Sequence, residues 1–98
     1  MGAHSRNKGA QGERELAARL GELLPGLDVK RGLSQCRGGG AEVADVQGLL
    51  GIHPECKRGK RTNPRAALRQ AIDDAPEGRI PVAMTRDDRG EWITTMRL

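Results

Sequence analysis

The chain reads as a small α/β domain in the order α-β-β-β-α-β-β, one mixed sheet with helices against it. Three observations predict this: a leucine stripe at helical spacing near the start, a Pro-initiated helix in the middle, and short β-branched runs bounded by glycine between and after them. Ninety-eight residues with 36% apolar content make one domain, 1–98, with a thin core. Residues 1–7 show no pattern and are expected to be disordered. The first helix is expected over 10–24, with Leu16, Leu20, Leu23 and Leu24 on one stripe and Leu24-Pro25-Gly26 ending it. Leu27 to Arg31 fits a short strand, followed by a glycine-rich loop from Gly32 to Ala41. Val43–Leu49 and Ile52–Lys57 fit two strands of a hairpin turning near Leu50-Gly51. Asn63 suits an N-cap and Pro64 the first helical position of a second helix reaching about Ala75. Ile80–Thr85 and Glu91–Arg97 form a closing hairpin around Asp87-Asp88-Arg89-Gly90.

No run is long enough for a membrane span, and no secretion signal follows the N-terminus, so a cytoplasmic protein is expected. Cys36 and Cys56 lack metal-finger spacing and are expected as a reduced pair. The net charge is +4, and its distribution says more than its sum. Between Lys57 and Ile72 stand Lys57, Arg58, Lys60, Arg61, Arg65 and Arg69, and no acid. Such a block suits a polyphosphate, where each neutralised phosphate releases counterions, although a solvated basic loop has the same look. Trp92 is the one aromatic, which argues against a base-stacking platform for single strands and in favour of duplex backbone. No small-molecule substrate is indicated.

The chemistry-bearing residues lie on the proposed hairpin. In Glu55-Cys56-Lys57, alternation puts Glu55 and Lys57 on one face and turns Cys56 toward the core. Asp45, on the partner strand, would come close to Glu55. Two adjacent carboxylates favour a hard cation between them, and a nearby lysine can orient a water or neutralise phosphate charge. A solvent-facing Glu-x-Lys pair is the ordinary alternative. Glu13 falls on the apolar stripe of the first helix, whereas Arg14 and Glu15 point elsewhere. A carboxylate there must be paired, meet a metal, reach water at a frayed end, or serve the helix dipole. His53 is expected at the surface. The Gly38-Gly39-Gly40 run lacks the Lys-Ser/Thr of a phosphate-binding loop and is expected as a connector, with Arg37 beside it able to touch a phosphate.

Asp45…Glu55-x-Lys57 resembles the PD-(D/E)xK nuclease motif, with Ala44 in place of the proline. Lys8-Gly9-Ala10-Gln11-Gly12-Glu13-Arg14-Glu15-Leu16 resembles the opening helix of archaeal-type Holliday-junction resolvases and their small phage-encoded counterparts, and Ile80-Pro81-Val82 with Trp92 resembles their closing strands. The resemblance covers nearly the whole chain. It implies a restriction-endonuclease-like α/β fold, Mg²⁺ or Mn²⁺ dependence, and a homodimer cutting opposing strands of branched or duplex DNA. By position it implies that Asp45, Glu55 and the Cys56 carbonyl bind metal, that Lys57 assists the attacking water, and that Glu13 contributes to the site. Arg14 and Arg31 would be near DNA. Some members place a glutamine on the helix after the motif; Gln70 is the counterpart here, although helical angles set it away from the face marked by Leu68, Ala71, Ile72 and Ala75. A non-catalytic DNA-binding or packaging accessory protein is the alternative from another class.

Overall fold

A computed structural model describes the backbone of residues 2–31, 46–49 and 51–98, and the side chains of 9–30, 46–49 and 51–98. The elements are α1 (Gly2–Leu23), β1 (Lys30–Arg31), β2 (Val46–Gln47), β3 (Ile52–Gly59), α2 (Pro64–Asp74), β4 (Ile80–Asp87) and β5 (Ile93–Met96). Together they make a small α/β structure whose larger sheet is mixed, in the order β3-β4-β5, with two helices. None of its helices is long and apolar enough to cross a membrane.

The sheet arrangement corrects the expectation of a single sheet. β3 runs parallel to β4, with Glu55 opposite Ala83 and Lys57 opposite Thr85, and α2 forms the crossover between them. β4 then pairs antiparallel with β5 through the expected tight hairpin, closed by the Gly90 N–H donating to the Asp87 carbonyl. β2 pairs instead with β1, as a separate antiparallel ladder. Among the described residues there is no β2–β3 ladder, so the hairpin expected near Leu50-Gly51 is not formed there. Two left-handed glycines explain the break: Gly48 at φ 102° and Gly51 at φ 80° redirect the chain between the strands. At Gly48 a side chain is also excluded, since a Cβ would stand 2.2 Å from the Asp28 carbonyl oxygen. The chain there lies against the segment leading into β1.

The prolines sit where a sheet tolerates them. Pro81 is opposite His53 but precedes Val82, the first β4 residue paired with β5. Pro54 lies on β3, at the edge of its sheet. Helix α2 starts as the sequence predicts: Asn63 Oδ1 accepts from the Ala66 N–H at 3.1 Å, and Pro64 occupies the first turn. Helix α1 begins at Gly2, well before the expected start, because its first residues carry no apolar periodicity from which to read a helix.

The two helices pack on opposite faces of the larger sheet. Against α1 lies the main core of Leu16, Ala17, Val46, Leu49, Cys56, Val82 and Met84, edged by Leu20 and Trp92. The α1 stripe is only partly buried: Leu16 is enclosed, whereas Leu23 and Leu24 are exposed. The α2 side is built from small residues, Ala67 and Ala71 on the helix, Ala83 and Thr85 on β4, all buried. Alanines allow α2 to lie close to the strands, and that closeness shapes the site.

Candidate functional site

Alternation along β3 sends Pro54, Cys56 and Arg58 toward α1, and His53, Glu55 and Lys57 toward α2. Cys56 is in the core as expected, and Glu55 and Lys57 share a face. The Glu55 carboxylate is deeply buried at 4% exposure, and Lys57 Nζ lies 3.4 Å from its Oε2. The lysine side chain itself remains 45% exposed. Burying a carboxylate is costly without a partner, and the ammonium offsets that cost from the rim while its head still meets solvent. His53 corrects the sequence reading: it is buried at 3% exposure, not on the surface. It stands opposite Pro81 on β4, and local sequence does not show its burial.

Beyond Lys57 the strand leads into a cleft of about 310 Å³ between the end of β3 and the first turns of α2. Among the described residues Lys57, Arg61, Thr62, Asn63, Ala66 and Gln70 line it, together with Arg58, and none of these is acidic. Positions 63, 66, 67 and 70 recur at helical spacing, so α2 turns one stripe to the cleft while Ala67 and Ala71 also face the sheet. Gln70 is exposed, as its angle suggested, yet it borders the same cleft as Lys57. The loop wall is fixed by Asp87, whose Oδ1 accepts from the Thr62 backbone N–H at 2.8 Å and from the Thr62 hydroxyl at 2.6 Å. Those two bonds, with the nearby charge of Arg61, hold the Asp87 carboxyl below its ordinary range. Lys60, Arg61, Arg65 and Arg69 are all exposed, and none forms an ion pair with a described acid.

The other sheet face carries a second charged group that the sequence did not reveal. Arg58 Nε donates to Glu15 Oε1 at 2.7 Å, Arg58 Nη1 bonds Asp88 Oδ1, and Arg86 Nη1 reaches the same Glu15 oxygen at 3.3 Å. Burial works against the Arg58 charge, but the bonds to Glu15 and Asp88 and the charges of both outweigh it, raising its guanidinium above the ordinary value. Glu15, expected to point away, is thus the carboxylate that joins α1 to the sheet. A signal was available: once Cys56 is assigned inward, Arg58 must share its face, and an enclosed arginine needs an acid on the covering helix. Arg58 is therefore a tie between elements as well as a member of the basic block.

Of the remaining predicted residues, Glu13 is half-buried on α1, and Arg14 is exposed on the same helix. Arg31 belongs to β1, with its side chain outside the described residues. Asp45, Arg37 and Cys36 also lie outside them. Among the described residues no three His, Cys, Asp or Glu side chains come together as a cation site. Comparison with protein families, with curated proteins and with solved structures finds no match for this chain.

Proposed function

We propose that this protein is a metal-dependent DNA endonuclease of the PD-(D/E)xK type, acting on duplex or branched DNA, with four-way junctions the leading substrate. On this reading its α/β architecture is a reduced restriction-endonuclease-like fold. The observation that carries the proposal is the Glu55–Lys57 pair: a buried carboxylate and a half-exposed lysine 3.4 Å apart, the lysine lining a cleft whose described residues include no acid. Phosphodiester hydrolysis needs a carboxylate to hold a cation, a group to orient water, and cationic surroundings for the phosphates. The exposed Lys60, Arg61, Arg65 and Arg69 supply the last.

Asp45, Glu55 and the Cys56 carbonyl would hold Mg²⁺ or Mn²⁺. Their donor chemistry fits, since carboxylate and carbonyl oxygens suit a hard cation. When bound, that cation lowers the pKa of a coordinated water and offsets charge on the scissile phosphate. Glu55 contributes a fixed carboxylate from the sheet interior. The Lys57 ammonium, held at the rim, orients the water or meets a phosphate oxygen; Glu13, on α1, lies on the helix that packs against the other face of the sheet. Two copies acting as a homodimer would place two such sites for cuts in opposing strands.

The test uses a labelled four-way junction and a matched linear duplex with Mg²⁺ or EDTA, comparing wild type with Lys57→Ala and Asp45→Asn. Metal-dependent cleavage is expected, at least about 100-fold weaker in both variants, with binding in EDTA retained. Equal cleavage by wild type and variants would remove the site assignment. Binding without cleavage in Mg²⁺ or Mn²⁺ would favour the accessory DNA-binding protein.

A further inference from the structure

The turn after β3 is tied down at both ends by the corner that ends β4. At its start, the Asp88 N–H donates to the Gly59 carbonyl at 2.7 Å. At its end, the Thr62 N–H and hydroxyl both donate to one oxygen of Asp87. Only Lys60 and Arg61 lie between the two anchors, and both are exposed. Arg61 and Thr62 also line the cleft with Lys57 and Gln70, whereas Asp87 does not. Asp87 thus holds the loop through Oδ1 and is not among the described residues that line the cleft.

From this arrangement we propose that the Gly59–Asn63 loop forms a preorganised phosphodiester subsite beside Lys57, and that Asp87 is the positioning residue that sets it. The occupant is the DNA backbone: a cleft whose described lining offers the Lys57 ammonium, the Arg61 guanidinium and the side-chain amides of Asn63 and Gln70, and no carboxylate, matches phosphate oxygens, and the exposed basic residues beyond it favour a chain of them. Anchoring the loop before binding removes part of the ordering cost that two flexible cations would otherwise incur. The inference rests on the DNA reading above and adds a phosphate contact beyond the Glu55–Lys57 pair.

The sign of the expected effect separates positioning from simple electrostatics. Removing the Asp87 charge makes the protein more positive, so long-range attraction alone predicts tighter DNA binding. Loss of positioning predicts the opposite. Asp87→Asn and Asp87→Ala carry the same charge, but asparagine keeps an oxygen that can accept from Thr62 and alanine does not. Binding of a short duplex is measured in EDTA, as a function of salt, for wild type, both variants, Thr62→Val and Arg61→Ala. Asp87→Ala and Thr62→Val should bind about fivefold more weakly than Asp87→Asn and wild type respectively, and Arg61→Ala should lower the salt slope by about one phosphate contact. If Asp87→Ala and Asp87→Asn both bind tighter than wild type and equal each other, the positioning role is overturned. Thr62→Val keeps the test available should Asp87→Ala not fold, and unchanged binding there also overturns the role. Free inorganic phosphate at the same ionic strength should not compete; competition at the concentration of backbone phosphates would reassign the cleft to a small anion. None of these readouts requires cleavage, so a protein that binds in this manner but never cuts would sink the nuclease reading and leave the subsite standing.

Discussion

Three glycines of α1 provide a sharp test of how closely that helix approaches the sheet. An alanine at Gly12 would place its Cβ 2.7 Å from the Arg58 Cβ, an atom fixed to the β3 backbone that has no room to swing aside. At Gly9 and Gly21 the same substitution meets nothing within 4 Å. In a helix interior, Gly→Ala stabilises by about 0.8–1 kcal/mol through lower chain entropy in the unfolded state. At Gly9 that gain should appear nearly in full, and at Gly21, close to the end of the helix, in part. At Gly12 the same gain meets a contact roughly 1 Å inside the usual carbon–carbon separation. Relieving it means moving α1 away from β3, and overpacking of this kind costs about 1–3 kcal/mol. That motion also lengthens the Glu15–Arg58 bond, so the cost prevails and Gly12→Ala should destabilise by about 1–2 kcal/mol net. Gly9→Ala and Gly12→Ala should therefore differ by about 2 kcal/mol, or roughly 10 °C in Tm for a domain of this size. Urea unfolding of the three variants beside wild type measures the difference. If Gly12→Ala stabilises as Gly9→Ala does, the close approach of α1 to β3 is wrong.

Two further outcomes follow from the charged groups. A double-mutant cycle with Glu15→Gln and Arg58→Met should give a coupling near 1 kcal/mol, since both groups are mostly enclosed and Arg86 retains part of the interaction with Glu15; additive effects would mean the pair carries no energy. The lowered pKa of Asp87 sets a sign for acid stability: its contribution is present above its ordinary value of 3.8 and is lost as pH falls through the lower folded value. Asp87→Asn should therefore flatten the fall in stability between about pH 5 and pH 3, read by denaturation across that range, and an unchanged acid limb would contradict the bond to Thr62.

Much of the architecture was legible wherever local chemistry decides it. Asn63-Pro64 marks a helix start through capping and fixed φ, and the closing hairpin announces itself through Asp87-Asp88-Arg89-Gly90; both stand as read. Glu55, Cys56 and Lys57 were assigned to faces by alternation alone, and the parallel register with β4 keeps them there. The partner of β3 was not legible, because Gly48 and Gly51 can make a hairpin turn or a change of direction, and their contacts with distant backbone decide which. The same limit applies to Glu15. Its helical angle sets it off the leucine stripe, and only a non-local neighbour, Arg58, makes that angle an inward one. His53 followed the polar label of its residue type, whereas its burial depends on how β3 packs in the fold.

The position of α2 links these local features to the candidate chemistry. Its buried residues are alanines, so the helix lies close to the strands, and its own start leaves Lys57 open to the cleft beside buried Glu55. A bulkier residue at Ala67 would push the helix outward, admit water to Glu55, and weaken the need for Lys57 as its counterion. On the opposite face Glu15 engages both Arg58 and Arg86, so the acid on α1 is neutralised within the fold. Sequence shows an acid-free basic run; the structure pairs Arg58 of that run with two acids and sets Asp87 near enough to Arg61 for their charges to attract, while Lys60, Arg65 and Arg69 form no ion pair with a described acid. Asp87 accepts from Thr62, Asp88 bonds Arg58, and Glu15 ties down the arginines. Lys60, Arg61, Arg65 and Arg69 face solvent, where a polyanion can reach them.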